Sequence, residues 1–309
     1  MQLANPRAYV IVSAANSQFF PLLSQTIASI RDKREGAHAN IIILDVGLTE
    51  DEKAALALQN VETVAPGWDY SLSGTLPDWF KSMTARAHLP RWVPGYDHYF
   101  WVDADAWIQH WSSVELFLAG ARRHGFAIAS EADRAYTERA GGHPGERLDS
   151  IIELRFTLYE AFFGHATAVR LSGYPVLNCG VFAASAQSPV WGLWDKHLLT
   201  ALESGNGKYG GLFQAEQYAL NVALYSEGIA FAKLPAAHNW MSHRAWPVVG
   251  REGSLVHPDF PHEPIGIVHR TAKTKNLGTR LKTIDGAPTD RGLEYCTPAT
   301  SATAAHAAS

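Results

Sequence analysis

Near its start the chain carries Tyr9-Val-Ile-Val-Ser13, an apolar run too short for a helix, which predicts a buried strand. Phe20, Leu23, Ile27 and Ile30 then recur at steps of three and four, the spacing of one helix face. Asn40-Ile-Ile-Ile-Leu-Asp45 predicts a second buried strand. Thr49 with Glu52 forms a capping-box pattern that opens a helix over 50–59, and Val61–Val64 predicts a third strand. This βαβαβ order predicts parallel strands joined by right-handed crossovers.

Residues 66–78 are rich in Gly, Pro and Ser and predict a loop before a helix over 79–93. Asp97-His-Tyr-Phe-Trp-Val-Asp-Ala-Asp105 predicts a buried strand that runs into acid. A helix over 112–124 and a strand over 126–130 follow, and the polar, Gly-rich residues 131–147 predict a mobile loop. Ser150 with Glu153 repeats the capping-box pattern, for a helix that stops near Gly164. A strand over 174–184 precedes a helix over 189–203 that Ser188-Pro189 opens as cap and first residue. A helix over 214–227 and a strand over 229–234 follow. Past 285 the chain turns to Ala, Thr, Ser and Pro, and Thr297–Ser309 predicts disorder. The expected division is one domain over 1–285 and a tail over 286–309, without internal repeats.

At 309 residues, with 47% hydrophobic and 18% charged residues, the chain buries a sizeable core and is not wholesale disordered. Lys and Arg number 26 against 30 Asp and Glu, for a net charge of −4, which argues against a nucleic-acid partner. Cys179 and Cys296 are the two cysteines, too few for a disulfide framework or a cysteine-rich zinc site, and they point to a reducing compartment. No apolar run approaches the roughly 20 residues of a membrane-spanning helix. Arg7 ahead of the first strand makes a poor signal peptide. The expectation is a cytoplasmic protein, peripheral to a membrane if it works on a lipid-linked glycan.

Candidate chemistry gathers at three interruptions of apolar strands. Asp103-Ala104-Asp105 closes one strand, and side chains two apart on a strand share a face. Ligands of open α/β sheets bind at such carboxyl ends, where two carboxylates suit a hard divalent ion such as Mn²⁺ or Mg²⁺; the alternative is a solvated strand end. His269 ends Ile265-Gly-Ile-Val, with Lys273 and Lys275 behind it, as either a solvated basic loop or a metal ligand beside phosphate-binding ammonium groups. In Asn178-Cys-Gly180 the glycine marks a close approach, and Cys179 reads as a buried inert thiol rather than a nucleophile. Glu216-Gln217 starts a helix whose Leu220 and Leu224 point inward, as a surface pair or as part of a site.

Taken in order, these fragments resemble the retaining glycosyltransferases of family 8 over about residues 9–277. Val10-Ile-Val-Ser-Ala-Ala-Asn16 resembles the family's opening strand, and Leu44-Asp-Val-Gly-Leu-Thr-Glu50 its second-strand segment. Thr84-Ala-Arg86 keeps the family's distance from Phe100-Trp-Val-Asp-Ala-Asp105. Asn178-Cys-Gly-Val, Glu216-Gln217-Tyr-Ala-Leu-Asn221 and the spacing from His269 to Lys275 resemble its later motifs. The chain departs from the pattern at Asn16, Phe19, Glu216, Ala272 and Asn276-Leu277, where the family commonly has Asp, Tyr, Asp, Gly and Pro-Trp.

The resemblance implies a single α/β domain of the GT-A type, a Rossmann-like mixed central sheet flanked by helices. It implies that Asp103, Asp105 and His269 ligate Mn²⁺, with Mg²⁺ as the other choice, and that Lys275 holds the diphosphate of a UDP-sugar. Ala14, Asn16 and Ala104 are then nucleotide contacts, Arg86 contacts donor sugar or phosphate, and Asn178 and Gly180 line the sugar site. Gln217 falls at the anomeric carbon, Glu216 on the sugar hydroxyls, and Glu131 or Asp133 supplies a further acid. The implied activity is transfer of a hexose to a hydroxyl of a glycan, lipid-linked saccharide or protein with retention of configuration. Two other readings are a sugar nucleotidyltransferase, disfavoured because Ser13-Ala-Ala-Asn-Ser-Gln18 has no glycine, and a non-catalytic nucleotide-sugar or glycan-binding protein.

Overall fold

The computed structural model describes residues 8–71, 76–138, 148–204, 212–276, 278 and 280–296. Strands β1 (Val10–Ala15), β2 (Ile41–Asp45), β3 (Val61–Val64) and β4 (His98–Val102) lie in one sheet, and a short β5 (Ala106–Ile108) follows the acid pair. β6 (Phe126–Ser130), β7 (Leu177–Ser185) and β8 (Ala232–Leu234) complete a seven-stranded sheet in the order β3-β2-β1-β4-β7-β6-β8. The first four of these are parallel, as the βαβαβ pattern predicts, while β7 is antiparallel to both of its neighbours. A parallel sheet covered on both faces needs apolar side chains on both, which is why β1 and β2 read as unbroken apolar runs.

The two faces can be followed residue by residue. Val10, Val12, Tyr99 and Trp101 pack into one core, and Ile11, Phe100 and Val102 into the other. On β7 the parity breaks: Leu177 and Cys179 share a face with Phe182 and Ala184. Three residues of β7, Cys179–Val181, are looped out of the pairing with β6, which jumps from Ile128↔Phe182 to Ala129↔Asn178; an odd insertion reverses the parity. Such bulges re-aim a strand beside a site, and this one falls at Gly180.

β9 (Trp240–Met241), β10 (Val248–Val249), β11 (Leu255–Val256) and β12 (Ile267–His269) build the remainder. β12 lies between β5, antiparallel, and β9, parallel, in a second sheet. His269 is therefore in register with Ala106, next to the acid pair, although it is remote in sequence. Described structure continues past the expected boundary at 285. Leu293 is buried in a third core, and its carbonyl accepts the indole N–H of Trp107 at 2.8 Å. Residues 297–309 of the expected tail lie outside the described residues.

Several element boundaries differ from the sequence expectation. The helix expected over 79–93 is four short pieces, 3₁₀ turns at Asp78–Phe80 and Arg86–His88 with α-helices Lys81–Ala85 and Leu89–Trp92. Pro90 brings no N–H to a continuous ladder, so the helix restarts around it. The strand expected to run through Asp105 ends at Val102, and Asp103–Asp105 is a turn in which Ala106 N donates to the Asp103 carbonyl at 2.9 Å. Within the expected loop, Arg134–Glu138 is helical, its start held by Asp133 accepting from Ala135 N at 2.9 Å. Residues 139–147 lie outside the described residues. The next helix, Leu148–Phe163, begins ahead of Ser150, which sits in its first turn rather than at its cap. The Thr49–Glu52 capping box is formed as expected. No helix among the described residues is long and apolar enough to cross a membrane.

Candidate functional site

A cleft of about 720 Å³ opens at the carboxyl ends of β1 and β4, and the candidate residues named from the motifs line it, apart from Lys273 and Asp133. At one end are Ala14, Asn16 and Phe19, and in the middle Asp103, Ala104, Asp105, His269 and Lys275. Beyond these lie Arg86, Asn178, Gly180, Glu216 and Gln217. Of the two alternatives for a further acid, Glu131 lines the cleft. Asp133 is held elsewhere by His257 at 2.7 Å. Lys273 is exposed and does not line the cleft, so only one of the two lysines behind His269 reaches it.

Asp103, Asp105 and His269 offer ligand atoms that all lie within 4.8 Å of one another. His269 Nε2 is 3.1 Å from Asp105 Oδ1 and 3.7 Å from Asp103 Oδ2. Lys275 Nζ sits 2.7 Å from Asp105 Oδ2 and lies over the Phe19 ring, 4.7 Å from its centre. Burial pushes the Asp105 carboxyl up, but His269 and Lys275 outweigh it and hold it below the usual carboxylate range. Asp105 is thus an anion in a buried place. Two carboxylate oxygens and an imidazole nitrogen in this arrangement fit Mn²⁺ or Mg²⁺, with Mn²⁺ the better match for the imidazole.

Gly180 makes this convergence possible. A Cβ there would lie 2.4 Å from His269 Cε1 and 2.8 Å from Asp103 Oδ2. Its carbonyl also accepts from Asp103 N at 2.8 Å, tying the bulge of β7 to the turn that carries the acids.

Arg86 lies under the acids in a nearly closed pocket. Its Nη2 donates to Asp103 Oδ1 at 3.0 Å, its Nη1 donates to the Cys179 carbonyl at 3.3 Å, and its plane covers the Trp101 ring at 4.8 Å. Burial opposes the charge of Arg86, yet Asp103 above all keeps it firmly protonated. Glu216 Oε1 is farther away, 3.7 Å from Arg86 Nη1. Burial therefore wins at Glu216 and raises its carboxyl above the usual range, and Glu216 Oε2 is buried with no hydrogen-bond partner among the described residues. An orphaned carboxylate oxygen costs on the order of 1–3 kcal/mol unless a donor reaches it. Cys179 is buried, and burial pushes its thiol up, as the inert reading expects.

The far end of the cleft is an amide and carboxylate network. Asn178 Nδ2 donates to Glu131 Oε1 at 2.8 Å and to Gln217 Oε1 at 3.2 Å, and Gln217 Nε2 donates to Glu131 Oε1 at 3.2 Å. Gln217 Oε1 also accepts from Cys179 N at 3.3 Å, so that oxygen is already occupied by donors.

Sequence reasoning missed Asn239, His243 and Arg244. Asn239 contacts His269, while His243 and Arg244 line the cleft behind the two-residue strand β9. A strand that short carries no periodicity to read. Burial, then Arg244, lowers His243 to about 4, so it is a neutral imidazole at neutral pH, bonded through Nδ1 to the Thr271 hydroxyl.

No protein-family model matches this sequence, and no curated protein matches it. Among solved structures the fold is similar to the galactosyltransferase LgtC in complex with donor and acceptor sugar analogs, at 13% identity and a TM-score of 0.51, over 85% of this chain and 87% of that one. It is also similar to the bifunctional glycosyltransferase WbbM, at 12% identity and a TM-score of 0.49, over 88% of this chain and 47% of that one. The glycosyltransferase GlyE of Streptococcus pneumoniae matches at 15% identity and a TM-score of 0.48, over 87% of this chain and 55% of that one. The likeness to LgtC shows that the architecture, a seven-stranded mixed sheet flanked by helices in a single domain, is the GT-A fold.

Proposed function

We propose that this protein is a glycosyltransferase that moves a hexose from a UDP-sugar to a hydroxyl acceptor with retention of configuration, using Mn²⁺ or Mg²⁺. The acceptor is a glycan, a lipid-linked saccharide or a protein. The observation that carries the reading is the convergence of Asp103, Asp105, His269 and Lys275 midway along one cleft. The hydrogen-bonding network of Glu131, Asn178 and Gln217 lies beyond them. The GT-A fold, shared with a structure that holds donor and acceptor sugar analogs, supports a sugar-transfer role. The choice of UDP rests on the resemblance of Val10–Asn16 to the family's opening strand, whose following loop holds the uridine.

Asp103, Asp105 and His269 would hold the ion, which when bound supplies Lewis-acid neutralisation of charge on a diphosphate leaving group. Lys275 adds a second positive charge at that place, fixed before the reaction begins. Glu216, which lines the cleft and whose buried Oε2 lacks a donor, would meet the sugar hydroxyls. Gln217 would face the anomeric carbon. Its amide oxygen is a poor nucleophile and already accepts hydrogen bonds, which favours attack on the same face through an oxocarbenium-like ion pair over a double displacement.

The nucleotidyltransferase reading lacks a glycine-rich phosphate loop after β1. A non-catalytic binding protein is not expected to retain the acids, the histidine and the lysine together. The test is a thermal-shift panel of UDP-, GDP- and CMP-sugars with and without Mn²⁺. The reading expects stabilisation that is specific to uridine nucleotides and depends on the metal; no metal-dependent shift with any uridine nucleotide overturns it.

A further inference from the structure

A small annex of about 100 Å³ opens off the sugar end of the cleft and shares the walls Glu131, Gln214, Gln217 and Arg244 with it. Two guanidinium groups face it. Arg244 comes from the segment after β9, and Arg155 from helix Leu148–Phe163. The Arg244 side chain is 20% exposed and makes one long ion pair, 3.5 Å to Glu131 Oε2. Charge-assisted N–H···O bonds ordinarily run at about 2.7–2.9 Å, so the pair is stretched. Glu131 is spoken for on its other oxygen by Asn178 and Gln217. Arg244 Nε is buried and has no partner among the described residues. Arg155 donates to the Tyr174 carbonyl at 3.3 Å through Nη1. A guanidinium carries five donors in a planar fork, and the bonds above use one donor of each arginine among the described residues. The other walls are Ile151, Leu154, Val176 and Tyr218.

Two cations against one carboxylate, around a space the size of a single small group, match an oxyanion rather than a neutral sugar face. Resting on the nucleotide-sugar reading above, we propose that the annex recognises a carboxylate or phosphate carried by one of the two saccharides, and that Arg244 and Arg155 set this specificity. The anion would arrive on the donor sugar, as in a uronic acid, or on the acceptor.

Isothermal titration of the full chain with Mn²⁺ separates the sources. The donor arm compares UDP-glucuronate with UDP-glucose. The acceptor arm compares methyl β-glucuronide and glucose 6-phosphate with methyl β-glucoside, on protein saturated with UDP. The expected result is that in one arm the acidic ligand binds at least about tenfold more tightly than its neutral counterpart, in line with a bidentate guanidinium contact. Arg244→Gln and Arg155→Gln should each bring that ratio close to one. A ratio near one in both arms for the wild type, or a preference that survives both substitutions, overturns the proposal. If UDP, UDP-glucose and UDP-glucuronate all fail to bind, the nucleotide-sugar reading fails and this inference falls with it. Binding of UDP without acid preference sinks the annex proposal alone.

Discussion

His269 Nδ1 donates to Asn239 Oδ1 at 2.8 Å, which leaves Nε2 as the nitrogen facing Asp103 and Asp105. Asn239 has no freedom to reverse this, because its own amide N–H donates to Asn178 Oδ1 at 2.9 Å and so fixes its carbonyl toward the ring. Metal-bound histidines ordinarily have their second nitrogen anchored in this way, and loss of the anchor costs about 10–100-fold in metal affinity. Asn239→Ala is accordingly expected to weaken Mn²⁺ binding, measured by calorimetry, by about that factor. Unchanged Mn²⁺ affinity counts against the ligand role of His269.

Gly180→Ala should be far more damaging at the site than its size implies. The added methyl would overlap His269 Cε1 and crowd Asp103 Oδ2, at 2.4 and 2.8 Å, and both positions are pinned by neighbouring bonds. The expected outcome is loss of Mn²⁺-dependent nucleotide binding with the far-UV circular dichroism retained, at a stability cost of about 1–3 kcal/mol. A variant that binds Mn²⁺ like the wild type would show that the three ligand residues do not need this geometry.

Gln217→Ala and Asp105→Ala separate the two mechanisms of retention. If Gln217 is only a polar stabiliser, its truncation lowers the transfer rate by about 10²-fold, the loss typical of one preorganised polar group. Asp105→Ala is expected to abolish transfer. Equal and complete loss from both, measured as product formed in a steady-state assay, would favour a covalent role for Gln217.

Ala272 sits at φ +52°, in the left-handed region that disfavours a side chain, at the position where the resembling family commonly has glycine. Ala272→Gly should relieve that strain, partly offset by the chain entropy of glycine, for a net gain of about 0.5–1 kcal/mol. Urea unfolding should show a higher midpoint with an unchanged slope. A lower midpoint would mean that the neighbouring turn holds Ala272 without strain.

Much of the fold was legible because the central strands are buried on both faces and carry unbroken apolar runs, so β1, β2 and β4 announce themselves. Local signals failed where tertiary contacts decide. Asp103 and Asp105 converge through a turn rather than along a strand, because β5 must break away to pair with β12. Glu131 and Asp133 look alike in sequence, and only the distant His257 assigns Asp133 elsewhere. Asn239 ends the 3₁₀ turn Ala236–Asn239, and His243 and Arg244 follow the two-residue strand β9, elements too short to show a period. The packing of Leu293 was hidden by the composition around it, which is rich in small polar residues.

The most direct test of the account is the affinity of the wild type and Asp105→Asn for UDP, each measured by calorimetry with Mn²⁺ and with the metal chelated. The account predicts that Mn²⁺ tightens UDP binding to the wild type by at least about 10²-fold and that Asp105→Asn loses this gain, because the ion needs a buried carboxylate that neighbouring charges keep ionised. UDP binding of equal strength with and without Mn²⁺, or an undiminished metal effect in Asp105→Asn, would contradict it.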